Sequence, residues 1–217
     1  MNIAEIATSR RTCKAFDPAR KIDPAAIEQL KTLLRFAPSS VNSQPWHYII
    51  ASSVEGKEKI ATTLAGRFEY NAPKVRNASH VVVLCVRRDL EDAHLQALVE
   101  QEERDGRFAT PEAKETQHNS RVFYTTLHRD QLNDLPRWTE KQIYIALGSL
   151  LFGAAALGID ACPMEGIDAA AIDAALDLEA QGLRCVVLTA LGYSSEQDFN
   201  AKLPKSRLPA ASVISEI

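Results

Sequence analysis

The chain has 217 residues, 46% hydrophobic and 24% charged, the balance of one folded domain with a sizeable core and not of a disordered tail. With 25 basic against 28 acidic residues, the formal net charge is -3 and the pI is near 6.0. This leaves no overall basic field for a nucleic-acid backbone or an anionic membrane surface.

The start of the chain, Asn2-Ile3-Ala4-Glu5-Ile6 after Met1, reaches an acidic residue early and lacks the basic-then-apolar run of a secretory signal, which predicts a cytoplasmic protein. Asp23-Pro24 supplies a cap and a first-turn proline, and Ile27, Leu30, Leu33, Leu34 and Ala37 follow at helical spacing, predicting a helix over 24–37. The polar loop Ser39-Ser40-Val41-Asn42-Ser43-Gln44 lies between Pro38 and Pro45. Residues 46–51 and 81–86 are rich in β-branched and aromatic side chains and predict strands, the second buried on both faces. Helices are expected over about 55–65 and 90–104, the latter with Leu95, Leu98 and Val99 on one face.

Thr110-Pro111 again opens a helix, this time polar, expected to reach about His128 with Val122, Phe123 and Leu127 along its apolar side. The stretch 135–157 predicts the longest helix. Its apolar run is broken by Gly148, Ser149 and Gly153 and falls short of the roughly 18 apolar residues of a membrane span. Its small residues suit close packing against another helix, within the chain or in a dimer. A strand at 159–164, a helix near 169–175, a strand at 183–191 and an extended arm over 199–217 complete a predicted α+β domain spanning residues 1–217.

Cys13, Cys85, Cys162 and Cys185 are isolated from one another, so neither a metal site nor a catalytic thiol is expected. The glycine-rich nucleotide fingerprints, the nucleophile elbow and the zinc-binding H-E-x-x-H are all missing from the sequence. Chemistry must come from scattered side chains or from a bound cofactor. Arg10, Arg11 and Lys14 near one end, and Lys205 and Arg207 near the other, are donors of the kind that clamp a phosphate where no glycine-rich loop is available. The 38–45 loop offers uncharged hydroxyls and amides, and Cys162-Pro163-Met164-Glu165-Gly166 ends a strand where a ligand can approach the backbone.

Three segments, Ala37 to His47, Asp105 to Lys114 and Asp198 to Pro209, resemble the oxygen-insensitive NAD(P)H nitroreductase family, which includes dihydropteridine reductases, and the likeness runs along essentially the whole chain. The resemblance implies a nitroreductase-like fold, a central, mainly antiparallel sheet flanked by helices. It also implies an intertwined homodimer with two FMN sites at the interface and the C-terminal arm exchanged between subunits.

Carried over by position, the resemblance assigns Arg10, Lys14, Lys205 and Arg207 to the FMN phosphate and ribityl chain, with Arg11 and Thr12 beside them. It assigns Asn71 and Lys74 to the polar edge of the flavin ring, and Pro163, Glu165 and Gly166 to its lining. Pro38, Ser39, Ser40 and Asn42 come from the partner subunit, and Val41 and Tyr124 contact the acceptor. Relatives commonly carry His, Ser, Thr and Phe where Arg11, Thr12, Val41 and Tyr124 stand here, and the last two of these positions bear on acceptor preference.

The activity implied is a ping-pong, two-electron reduction of nitroaromatics, quinones or related small planar acceptors by NAD(P)H, with flavin N5 as the reactive centre and no side chain as nucleophile. Flavin, quinone or dihydropteridine reduction with incidental nitroreductase activity is the alternative within enzymes. A non-catalytic FMN carrier is the alternative of another class.

Overall fold

The computed structural model describes residues 2–217, so Met1 lies outside the described residues. Its helices are α1 (Ile3–Ser9), α2 (Pro24–Arg35), α3 (Val54–Ala61), α4 (Ala72–Asn77), α5 (Asp92–Arg104), α6 (Pro111–Thr126), α7 (Leu135–Ala156) and α8 (Ala169–Leu176). Its strands are β1 (Trp46–Ala51), β2 (His80–Arg87), β3 (Asp160–Met164) and β4 (Leu183–Gly192). They form one antiparallel sheet in the order β1-β2-β4-β3.

Strand periodicity explains the layering. Val81, Val83 and Cys85 of β2 enter one core cluster with residues of α3, α4 and α8, while Val82, Leu84 and Val86 enter a second with residues of α2 and α7. Successive side chains point to opposite faces, so an uninterrupted apolar strand requires helices on both sides, and β2 has them. A bulge between Leu84 and Cys85 shifts the register against β4.

The sequence-predicted elements hold to within a few residues at their ends. Asp23 accepts a hydrogen bond from the Ala25 amide and Pro24 stands in the first turn. Helix α2 ends at Arg35, two residues short of the predicted end, and the described 54–61 helix is likewise shorter than expected. Among the small residues of α7, Ala146 and Ala154 are buried against the α2 side, and a Cβ on Gly153 would collide with Leu33 of α2. That close approach is therefore internal to the chain, whereas Gly148 has open space beside it.

Helix α6 departs from expectation. Phe123 is 57% exposed, and the buried positions are Arg121 and Thr125. The helix continues as a π-helical turn, Leu127–Gln131, rather than stopping near His128. Its inner face is polar because it packs on the α5 carboxylate Glu102 as well as on apolar side chains. Residues 199–217 hold two 3-10 turns, Phe199–Lys202 and Ala210–Ser212, and are otherwise extended and largely exposed. Among the described residues no helix is long and apolar enough to cross a membrane.

Leu150 is fully buried between α7 and the sheet. Leu150→Ala is expected to lower the unfolding free energy by about 2–5 kcal/mol through lost burial and a residual cavity, read as a lower urea midpoint at an unchanged slope.

Candidate functional site

The basic residues from the two ends of the chain meet. Residues 12–16 run beside the sheet, with a parallel bridge from Thr12 to Ala161 of β3 and an antiparallel one from Phe16 to Ser194. The tail is fastened to this segment by Asp198, whose side chain is fully buried. Asp198 Oδ1 accepts from the amides of Lys14 and Asn200, each at 3.1 Å. Asn200 Nδ2 donates to the Thr12 carbonyl at 2.7 Å, and Lys205 Nζ donates to the carbonyls of Ala7 and Arg10.

The result is a cavity of about 320 Å³ whose lining includes Arg10, Arg11, Thr12, Asn200, Lys205 and Arg207. Desolvation first, then the neighbouring Arg10 and Arg207, push the Lys205 ammonium below its ordinary pKa. An ammonium depressed by burial and by neighbouring cations marks a site short of an anion. Arg11 is already engaged: Nη2 donates to Ser194 Oγ at 3.0 Å and lies 3.7 Å from Asp160. Arg11 Nε and Asp198 Oδ2 stand 4.0 Å apart, both buried and without a hydrogen-bond partner.

A second polar group lies at the far end of β3. Lys74 Nζ donates to Asn71 Oδ1 at 2.6 Å, and Asn71 Nδ2 donates to the Gly166 carbonyl at 2.8 Å. Lys74 also sits 4.8 Å from the centre of the Tyr70 ring. A Cβ on Gly166 would meet the Tyr70 hydroxyl, so the glycine is required by close approach of the 70–71 segment. Glu165 accepts from the Tyr144 hydroxyl at 2.6 Å; burial first, then Glu165, raises that hydroxyl to about 12.

The two groups are electrostatically joined. Burial lowers the Lys74 pKa, partly offset by Cys162, and Lys14 lowers it further. Both lysines act on the Cys162 thiol, whose pKa burial raises. Lys14, whose amide is bound by Asp198 beside the cation-lined cavity, is thus close enough to Lys74 for the two charges to act on one another. Burial likewise holds the Cys13 and Cys185 thiols protonated and takes Cys85 to about 12. These thiols are inert packing groups.

The 38–45 loop is elsewhere. It leads into Trp46, which pairs with Val86 at the far end of β2, on the opposite edge of the sheet from β3. Three strand spacings of about 4.8 Å separate the two edges. Val41, Asn42 and Gln44 have φ of 47°, 51° and 41°, left-handed values that disfavour non-glycine residues. The loop is pinned by Gln142 Oε1, which accepts from the Ser40 amide at 2.9 Å, and by Ser39 Oγ, which accepts from the Gln44 amide at 3.0 Å. His94 Nε2 donates to the Ser43 carbonyl at 2.8 Å. Val41 and Val122 of α6 pack against the same apolar cluster of Leu90, Leu95, Leu135 and Trp138, and Tyr124, also on α6 and 41% exposed, contacts Phe123 edge-on. Pro38, Ser39, Ser40 and Asn42 therefore do not meet the cation-lined cavity of their own chain.

Residues that sequence reasoning did not single out include Asp198, Asn200, Tyr70 and Tyr144. Asp198 followed two residues later by Asn200 has the spacing of a local side-chain cap, the one signal that pointed to it. Among the described residues no group of three or more His, Cys, Asp and Glu could hold a metal ion.

Asp198→Ala leaves the Lys14 and Asn200 amides without their buried acceptor and Arg11 without its nearby counter-charge, and is expected to cost about 2 kcal/mol or more and to speed proteolysis within 199–207. Burial holds the His94 imidazole below its usual 6.5, with Arg87 and Arg121 adding to the effect and the Ser43 hydrogen bond opposing it. Burial also lowers His80. The unfolded chain then binds more protons than the folded one below 6.5, so these histidines contribute stability above that pH that is lost as pH falls toward their folded values. Denaturant midpoints measured from pH 7.5 to 5.5 should decline, and His94→Gln should flatten part of the slope.

Residues 7–193 match the model of the nitroreductase family. The chain is 45% identical to an oxygen-insensitive NAD(P)H nitroreductase of Enterobacter cloacae over the full length of both. It is 35% identical to the major NAD(P)H-flavin oxidoreductase of Aliivibrio fischeri, covering 95% of this chain and 94% of that one. A crystal structure of a putative nitroreductase in complex with FMN, from Exiguobacterium sibiricum, superposes with a TM-score of 0.81 at 22% identity, covering 100% of this chain and 98% of that one. The fold is thus the nitroreductase α+β fold, and the chain belongs to the nitroreductase family.

Proposed function

We propose that residues 1–217 act as a single FMN-binding domain of an NAD(P)H oxidoreductase that reduces nitroaromatics, quinones or related small planar acceptors, in the cytoplasm and as a homodimer. The observation that carries this reading is the convergence of Arg10, Lys205 and Arg207 on one cavity, joined through Lys14 to Asn71, Lys74 and Gly166. A mononucleotide has a phosphate at one end and a heterocycle with a polar edge at the other, and the donor types along β3 follow that order. The depressed Lys205 and Lys74 ammonium groups are those that gain most from an anion.

Arg10, Lys205 and Arg207 would take the phosphate, with Arg11 bracing the wall of the cavity through Asp160 and Ser194 and the Thr12 hydroxyl beside it. Asn71 and Lys74 would hold the polar edge of the ring, and Pro163, Glu165 and Gly166 would flank it. The positive charges of Lys14 and Lys74 favour the electron-rich state of a bound group over the neutral one. Bound there, FMN would supply the two-electron redox chemistry that links NAD(P)H to the acceptor, while these residues hold and orient it. No side chain of the chain is assigned as nucleophile or general acid.

The dimer is supported by the distance between the 38–42 loop and the cation-lined cavity: one chain cannot present both to one ligand, whereas a second copy can. The exposed apolar residues Tyr144 and Ile145 beside Gly148 on α7, and Leu208, Val213 and Ile214 in the tail, offer surface for such a partner. Val41 and Tyr124 would then line the acceptor cleft. The relative named as a flavin oxidoreductase favours free flavin as a second acceptor class.

The purified protein should show flavin absorbance that bleaches with NADH under anaerobic conditions and returns on addition of a nitroaromatic. A protein that takes up no FMN would overturn this function, and one that NAD(P)H cannot bleach would be a carrier. Replacing Lys205 and Arg207 together by Ala should weaken FMN affinity at least tenfold, measured by fluorescence titration, while sedimentation of the parent reports the dimer.

A further inference from the structure

Arg121 is fully buried, and its hydrogen bonds run to the loop and to one carboxylate. Nη2 donates to both oxygens of Glu102 at 2.9 Å, and Nε donates to the Val41 carbonyl at 3.1 Å. Glu102 is itself buried on α5, and its Oε1 also accepts from Asn42 Nδ2 at 2.8 Å. The Asn42 side chain in turn accepts from Gln44 Nε2 at 3.2 Å.

One buried ion pair therefore grips both Val41, at φ 47°, and Asn42, at φ 51°. Residues held in sparsely populated backbone regions cost on the order of 1–3 kcal/mol each and persist where their surroundings over-determine them. A buried ion pair is poor value as a stabiliser of the fold alone, since well-packed apolar residues often serve as well. Here the hydrogen bonds that the pair makes to other side chains and to the backbone of the loop fall on one strained turn, and the remaining partner of Glu102 is the exposed Arg107, whose Nε stands 3.8 Å from Oε1.

We infer that Arg121 and Glu102 are positioning residues that hold Val41 and Asn42 in the conformation in which the loop meets the acceptor and the second subunit's cofactor. This rests on the reading of the loop given above. Neither side chain touches the reacting groups; each acts through the loop backbone and Asn42.

Two variants separate this from a structural role. Arg121→Lys keeps the buried charge but cannot span Val41 and Glu102 together. The double variant Glu102→Leu with Arg121→Met removes both charges and keeps the volume apolar, so that no lone charge is left inside. Amide exchange of peptides covering 39–45 and 81–86 reports the loop against the core without reference to catalysis. NAD(P)H-coupled turnover of a nitroaromatic by the FMN-loaded protein reports KM and kcat.

The expected result in either variant is at least tenfold faster exchange in 39–45 with 81–86 still protected, and a rise of about tenfold in the KM for the nitroaromatic that exceeds any fall in kcat. In the double variant, adding Asn42→Ala should then change KM little further, although the same substitution in the parent raises it. Unchanged exchange in 39–45 would overturn the inference. Faster exchange with an unchanged KM would overturn it as well, by separating the loop from the acceptor. A parent that binds FMN but shows no turnover would instead overturn the proposed function, leaving the exchange result as a statement about the loop alone.

Discussion

A single buried carboxylate brings the two ends of the chain together. Asp198 takes hydrogen bonds from the Lys14 and Asn200 amides and faces Arg11, so the segment that carries Arg10, Arg11 and Lys14 and the segment that carries Lys205 and Arg207 share one wall. Without it the first group would lie beside β3 and the second on an extended tail with little apolar surface to hold it. A buried charge of this kind is costly unless fully paired, and its Oδ2 and the opposing Arg11 Nε are each still unpartnered. Strain of that sort is tolerated where the arrangement is needed for something besides stability.

The sheet supplies the other half of the geometry. Both faces of β2 are apolar and covered, and the candidate functional groups lie at strand ends and edges. Phosphate-type donors collect at one end of β3, amide and ammonium groups at the other, and the strained loop at the opposite edge beside β1. The proposed sharing of the candidate site between two copies rests on that separation.

Regular elements were legible in the sequence because their signals are local. The proline caps of α2 and α6, the period of α7 and the apolar runs of β1, β2 and β4 all correspond to structure, off by a few residues where frayed ends decide. Helix α4 and the 3-10 turn before it are six residues each, too short for periodicity to register, though they carry Asn71 and Lys74. The inner face of α6 was misjudged because Arg121 in a polar helix looks like solvated surface; its burial depends on Glu102, 19 residues away. The site residues were assigned through resemblance, and the structure brings together those from the N-terminal segment, β3 and the tail. Asp198 escaped notice because a buried acceptor for two amides leaves no pattern beyond a common loop cap.

The pairing of β2 with β4 also governs how the molecule is made. These two central strands, His80–Arg87 and Leu183–Gly192, are roughly 100 residues apart in the chain, so the sheet cannot close before residue 192 has been synthesised. Contacts of such long sequence separation slow folding, because loop-closure entropy is lost before they form. Until then the edge of β2 that β4 will cover is unpaired, and an unpaired strand edge is a template for aggregation during synthesis.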